Sequence, residues 1–218
     1  MVRKIVLFLA AMTLPSLLLV TVAPGVAGAS PIFPGTVTCN ATNGAWGGTI
    51  AFSPPLRNGG TATHETFKVK ATLGSSSTGT VGTGCHTSTT PPPLSTVFGK
   101  LIGKVRFVGA GSNNCTTIFG GGTLTPTVAA FKIKWVNPAG APTLWIPPAF
   151  SVVGSPSAIT ITGGAVTGSF APYATPNATL ADPSWPGASG AVATGCATST
   201  GLSSLSINAP SALSSGTW

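Results

Sequence analysis

Carboxylates are almost missing from this chain: Glu65 and Asp182 are the only two in 218 residues. Charged residues of both signs make up 6% of the sequence, against about 25% in an ordinary domain. The scarcity excludes whole classes of chemistry. Calcium cages need several carboxylate oxygens, and the supply is insufficient. Glycosidases need two facing carboxylates, and Glu65 with Asp182 is the sole pair available. Asp182 sits in Ala181-Asp182-Pro183-Ser184-Trp185-Pro186, a turn in which Asp typically bonds nearby backbone. Gln is absent as well, and with a single Glu the opposite-charge pairs that support helices cannot be built. Thr, Val, Gly, Ser and Pro, which are abundant, lie toward the poor end of helix propensity.

Period-two alternation is present instead. Thr66-Phe67-Lys68-Val69-Lys70, Lys104-Val105-Arg106-Phe107 and Phe131-Lys132-Ile133-Lys134-Trp135 each alternate polar with apolar residues. Further strands are predicted at Gly35–Thr42, Gly48–Ser53, Phe150–Val153, Ala158–Thr162, Ala165–Phe170 and Leu202–Asn208. Turn signals separate them: Asn58-Gly59-Gly60, Pro91-Pro92-Pro93, Gly120-Gly121-Gly122, Asn137-Pro138 and Gly163-Gly164. The last, between two alternating runs, predicts a two-residue hairpin. Many short strands with such turns predict an all-β protein. The expected architecture is an antiparallel β-sandwich, immunoglobulin-like and Greek-key, with long Gly/Ser/Thr/Pro-rich loops. A small closed barrel is the alternative.

The first 29 residues read as an export signal: Arg3 and Lys4, an apolar run from Ile5 to Val22, and Ala27-Gly28-Ala29 before Ser30. An apolar run of about 18 residues could also serve as a retained anchor, but Pro15 within it and the small residues after it favour cleavage. Residues 30–218 are then one soluble domain, secreted or associated with the cell envelope, without a transmembrane segment.

Four cysteines, Cys39, Cys85, Cys115 and Cys196, remain in that body. An even number in an exported chain predicts two disulfides and no metal site. No C-x-x-C pair occurs, and neither His64 nor His86 stands at a zinc-finger spacing. Three connectivities are possible, and spacing does not choose among them. The preferred expectation is nested, Cys85 with Cys115 and Cys39 with Cys196, which would fasten the first strand to the penultimate stretch. Thr83-Gly84-Cys85-His86-Thr87-Ser88-Thr89 is echoed by Thr194-Gly195-Cys196-Ala197-Thr198-Ser199-Thr200, but in so Thr- and Gly-rich a chain the echo does not establish duplicated halves.

Several segments, in order, resemble a group of small exported actinobacterial proteins of uncharacterised activity. They are Thr36-Val37-Thr38-Cys39, Ile50-Ala51-Phe52-Ser53-Pro54-Pro55-Leu56 with Asn58-Gly59-Gly60, Val69-Lys70-Ala71-Thr72-Leu73, Gly111-Ser112-Asn113-Asn114-Cys115-Thr116 and Cys196-Ala197-Thr198-Ser199-Thr200-Gly201-Leu202. The resemblance covers most of residues 30–218 and implies an exported, disulfide-bonded β fold. Its motifs are cysteines, turns and strand edges, so it carries over no functional residue. The triple proline Pro91 to Pro93 departs from it.

Catalytic patterns are thin. The nucleophile-elbow pattern G-x-S-x-G does not occur. His64 and Glu65 are neighbours and point to opposite faces of a strand. Gly120-Gly121-Gly122 lacks the Lys-Ser/Thr of a phosphate loop, and a thiol enzyme would need an unpaired cysteine. No catalytic residue, cofactor or metal is expected. A hydrolase with an unrecognised site, built on His86, Asp182 and a serine, is the enzymatic alternative.

The basic residues are more informative. Without Arg3 and Lys4, eight cations stand against two carboxylates, a net charge of +6. Lys68 and Lys70, Lys104 and Arg106, and Lys132 and Lys134 occupy alternate positions on three predicted strands, so each pair shares a face. If the strands share a sheet, six cations line one surface without an acid. The partner this suggests is anionic: a phosphate-bearing wall polymer, an acidic glycan, a lipid headgroup or another envelope protein. Solubilising lysines, common on edge strands, are the competing explanation. Nucleic acid fits poorly, because aromatics do not interleave with the lysines. Trp46 and Trp185, in Gly/Pro-rich loops, could offer a sugar platform, whereas Trp135 and the run Leu144-Trp145-Ile146-Pro147-Pro148 read as core. Terminal Trp218 suggests an outer-membrane barrel, but the strands look shorter than the 9–11 residues such barrels need. Asn40-Ala41-Thr42, Asn114-Cys115-Thr116 and Asn177-Ala178-Thr179 match the glycosylation acceptor pattern without further support. The expected function is non-catalytic, a binding or structural module of the cell envelope.

Overall fold

A computed structural model describes residues 30–39, 46–74, 85–87, 97–137, 139–153, 158–170, 176–207 and 215–217. Residues 1–29, read above as an export signal, and Asn40-Ala41-Thr42, Pro91-Pro92-Pro93 and Trp218 lie outside the described residues. In chain order the elements begin with β1 (Val37–Cys39), β2 (Trp46–Leu56), β3 (His64–Leu73), β4 (His86–Thr87), β5 (Phe98–Val108) and α1 (Cys115–Phe119). There follow β6 (Gly122–Leu124), β7 (Val128–Asn137), β8 (Thr143–Ile146), β9 (Ala149–Val153) and β10 (Ala158–Thr162). The last are β11 (Ala165–Thr167), β12 (Asn177–Ala181), α2 (Ala191–Ala197), β13 (Leu202–Ile207) and β14 (Ser215–Thr217). The protein is mostly antiparallel sheet, as its alternation predicts.

The strands form two seven-stranded sheets, ordered β4-β1-β14-β12-β10-β9-β6 and β11-β8-β7-β5-β3-β2-β13. Within the second, β2, β3, β5, β7, β8 and β11 are neighbours in chain order, with β4, β6, β9 and β10 of the first sheet intervening along the chain, and β13 closes the other side of β2. Alternation along its long strands puts Phe67, Val69 and Leu73 of β3 inward, with Leu101, Val105 and Phe107 of β5 and Phe131, Ile133 and Trp135 of β7. The two sheets share one cluster of buried residues. Phe150 of the first meets Phe107 and Phe131 of the second at ring separations of 6.0 and 6.2 Å. Edge-to-face contacts extend the cluster through Phe67–Phe107, Phe52–Phe67 and Trp135–Phe170, each adding to the burial of apolar area.

Two glycines hold the register of the central strands. Gly99 lies directly opposite Trp135, and Gly103 directly opposite Phe131. A Cβ placed on Gly103 would collide with the Phe131 ring, and one on Gly99 would press on Trp135. Each ring therefore lies over bare backbone of the neighbouring strand, a close approach that only glycine permits.

Gly163-Gly164 is not the hairpin expected. β10 pairs with β9 and β12 in the first sheet, whereas β11 pairs with β8 in the second. The two glycines, at φ of +70° and +97°, carry the chain from one sheet to the other. Trp145 Nε1 donates to the Gly163 carbonyl at 2.7 Å. A side chain on Gly164 would strike the Ile146 carbonyl. Local sequence reports the positive φ, but the hydrogen-bonding partner is chosen by the core.

The nested disulfide expectation is also corrected. Cys39 bonds Cys85, and Cys115 bonds Cys196. Antiparallel β1 and β4 set Val37 against Thr87 and Thr38 against His86, so the next position brings Cys39 to Cys85 with Cα atoms 4.6 Å apart. Cys115 opens α1 and Cys196 lies in α2, with Cα atoms 6.2 Å apart. Neither helix was expected. Asn114 caps α1 by accepting from the Thr116 N–H at 2.9 Å, satisfying a donor that the first turn leaves free. The two echoed cysteines differ in setting, Cys85 preceding a strand and Cys196 lying in a helix.

Peptide mapping under non-reducing conditions should yield Cys39–Cys85 and Cys115–Cys196 cross-links; any Cys39–Cys196 product would contradict the fold. Replacing both Cys115 and Cys196 by Ser, which opens a separation of 81 residues, should lower stability to urea by up to about 4.5 kcal/mol on chain-entropy grounds.

Candidate anion-binding face

All six cations singled out by alternation lie on the outward face of the second sheet, exposed, on the adjacent strands β3, β5 and β7. Lys100 of β5 joins them. The register sets Lys68 against Lys104, Lys70 against Ile102, Thr66 against Arg106 and Thr72 against Lys100. Across the next seam Lys134 faces Lys100, Lys132 faces Ile102 and Ala130 faces Lys104. Lys68–Lys104 and Lys100–Lys134 are thus like charges directly opposite, an arrangement that destabilises a strand pair. Arg57 stands apart in the β2–β3 turn, where its Nη2 donates to the Thr200 carbonyl at 3.4 Å.

Neither carboxylate reaches this face. Glu65 points inward from β3 and is fully buried. Its Oε1 accepts from the Ser53 and Thr66 N–H groups at 2.8 and 3.1 Å, and Oε2 has no partner among the described residues. Burial pushes this carboxyl from its ordinary 4.5 up to about 7, against the downward pull of the Ser53 and Thr66 donors. His64 points outward at the same strand end, as the alternation requires. Asp182 is buried after β12, where it accepts from the Ser184 N–H at 2.8 Å and the Ser184 hydroxyl at 2.6 Å. That is the local turn bonding expected of it.

The sequence reading missed the aliphatic residues of the same face. Ile102 and Val108 of β5, Val128 and Val136 of β7, and Leu144 and Ile146 of β8 are all exposed. Leu144 lies directly opposite Lys132. The run Leu144-Trp145-Ile146 was expected to pack whole, yet alternation splits it: Trp145 is buried while Leu144 and Ile146 face solvent. Period two applied within this apolar run would have found them.

Between Lys70 and Lys100 the face carries an open depression of about 400 Å³, lined also by Gly47, Thr72 and Ile102. Gly47 pairs with Thr72.

The tryptophans lie elsewhere. Trp185, a candidate sugar platform by its loop setting, is fully buried, and its Nε1 donates to the Ser206 carbonyl at 2.7 Å. Trp135 donates to Thr143 Oγ1 at 2.8 Å. The Trp46 side chain lies outside the described residues. No group of three or more His, Cys, Asp or Glu side chains able to hold a metal occurs among the described residues. No helix among them is long and apolar enough to cross a membrane. No family model matches the chain, and neither a curated protein nor a solved structure matches it.

Because its folded pKa is raised, Glu65 contributes stability that is fully present below pH 4.5 and lost as pH rises through about 7. Urea unfolding should show stability falling across that window by up to about 3 kcal/mol, and Glu65→Gln should flatten this slope; an equal slope in the variant would contradict the assignment. Lys104→Thr, which relieves the Lys68 repulsion, should raise stability by roughly 0.2–1 kcal/mol at low salt, with the gain shrinking as salt is added.

Proposed function

We propose that this is an exported, non-catalytic binding protein whose cationic sheet face takes an anionic component of the cell envelope. The single observation that carries the reading is the placement of seven cations on three adjacent interior strands with no acid among them. Solubilising lysines belong on sheet edges, but the edges here are β11 and β13. Directly opposed pairs such as Lys68–Lys104 cost stability, and a use for the charge accounts for their retention. Phosphate-bearing polymers and acidic glycans present repeated negative charge to such a plane. Nucleic acid is a poorer partner, since Phe67, Phe107, Phe131 and Trp135 all point inward and leave these strands only the half-buried Phe98, at the start of β5, as a ring at an outward position.

The remainder of the reading concerns setting. Residues 30–218 form one domain of β-sandwich type, supported by the meeting of Phe107 and Phe131 with Phe150 between the sheets. Two disulfides accord with an oxidising compartment, and residues 1–29 serve as the cleaved export signal. At low salt the protein should be retained on phosphocellulose. Simultaneous alanine replacement of Lys68, Lys70, Lys104, Arg106, Lys132 and Lys134 should bring elution close to the void, while Arg57→Ala changes it little. Unaltered retention after all six replacements would refute the proposal.

A further inference from the structure

We infer that the same face docks on a bilayer of anionic phospholipid, an inference that rests on the anion-binding reading above and specifies its partner. Charge alone does not distinguish a lipid surface from a soluble polyanion; the aliphatic residues do. Seven large hydrophobic residues are exposed among the described residues, and six of them share this one face: Ile102, Val108, Val128, Val136, Leu144 and Ile146. Only Ile32 lies elsewhere. A hydrated polymer would satisfy the ammonium groups and leave these side chains in water. A bilayer covers both, with phosphates at the cations and the aliphatic tips in the headgroup–acyl boundary.

The geometry suits a plane. Across the sheet the outward positions run Lys70, Ile102, Lys132, Leu144 on four neighbouring strands, so cation and aliphatic side chain alternate along one line. β8 places Leu144 and Ile146 at the flank of the cationic strands, beside Lys132. The depression of about 400 Å³ between Lys70 and Lys100, with Ile102 at its rim, has room for a phosphodiester headgroup between two ammoniums. Each cation near an anionic surface strengthens binding by about fivefold. A second copy of the chain is a poor occupant, because face-to-face pairing would set cation against cation without an acid on either side.

Vesicle co-sedimentation tests this, with phosphatidylcholine alone compared with a mixture of phosphatidylglycerol and phosphatidylcholine. The protein should pellet with the mixture, remain free with phosphatidylcholine, and be released by salt. Leu144→Ser with Ile146→Ser, both at exposed positions, should weaken vesicle binding about tenfold while leaving phosphocellulose elution and the unfolding midpoint unchanged. Retention on phosphocellulose without any vesicle binding would overturn the lipid assignment and leave the anion-binding reading standing. Vesicle binding that the Ser pair does not weaken would also overturn it, since charge alone would then suffice. A dimer abolished by the Ser pair would overturn it in favour of self-association. Absence of binding to both matrix and vesicles would remove the underlying reading as well.

Discussion

Register between β5 and β7 is the constraint on which the rest of this structure depends. Gly99 beneath Trp135 and Gly103 beneath Phe131 admit one alignment of the two strands. A slip of one residue would turn every inward ring to solvent and every cation into the core. With the register held, the pleat separates two chemistries within single strands. Phe131, Ile133 and Trp135 fill the interior while Lys132 and Lys134 stand on the other side. The charged face is therefore a by-product of packing only in its direction, not in its content.

That content is set by scarcity. A chain with two carboxylates, one in a turn and one inside the sheet pair, has no surface acid left to neutralise its lysines. A cross-strand acid would stabilise such a lysine; here Lys68 finds Lys104 and Lys100 finds Lys134. The repulsion is spread over long, well-paired ladders that tolerate it. Glu65 carries a larger penalty inside, where only backbone N–H groups offset its desolvation. Both features show a core with enough apolar contact to carry local cost.

The central strands were legible because they obey a two-residue rule over long stretches. Thr66–Lys70, Lys104–Phe107 and Phe131–Trp135 each fall inside an observed strand, with every alternate residue on its expected side. Ala158–Thr162 coincides with β10. The failures have a common cause. Gly163-Gly164 was read from its neighbours in sequence, but the strands it joins pair with partners far away. Asn114 and Gly190 begin helices too short for periodicity to register. Trp185 stands in a loop, as read, yet its ring is core, in a turn where Asp182 accepts from the Ser184 N–H.

Sequence alone determined that this chain is mostly antiparallel sheet, that its four cysteines pair with one another, and that Lys68, Lys70, Lys104, Arg106, Lys132 and Lys134 share outward positions on their strands. Those properties follow from composition and a local repeat. Tertiary structure decided which strands are neighbours, and with that which cysteines meet and whether three cationic pairs merge into one surface. It also added Lys100 and the aliphatic flank of Leu144 and Ile146 to that surface. The physical reason is that strand pairing is a contest among distant segments for the same backbone donors and acceptors, settled by how their inward side chains pack, and no local pattern records the outcome.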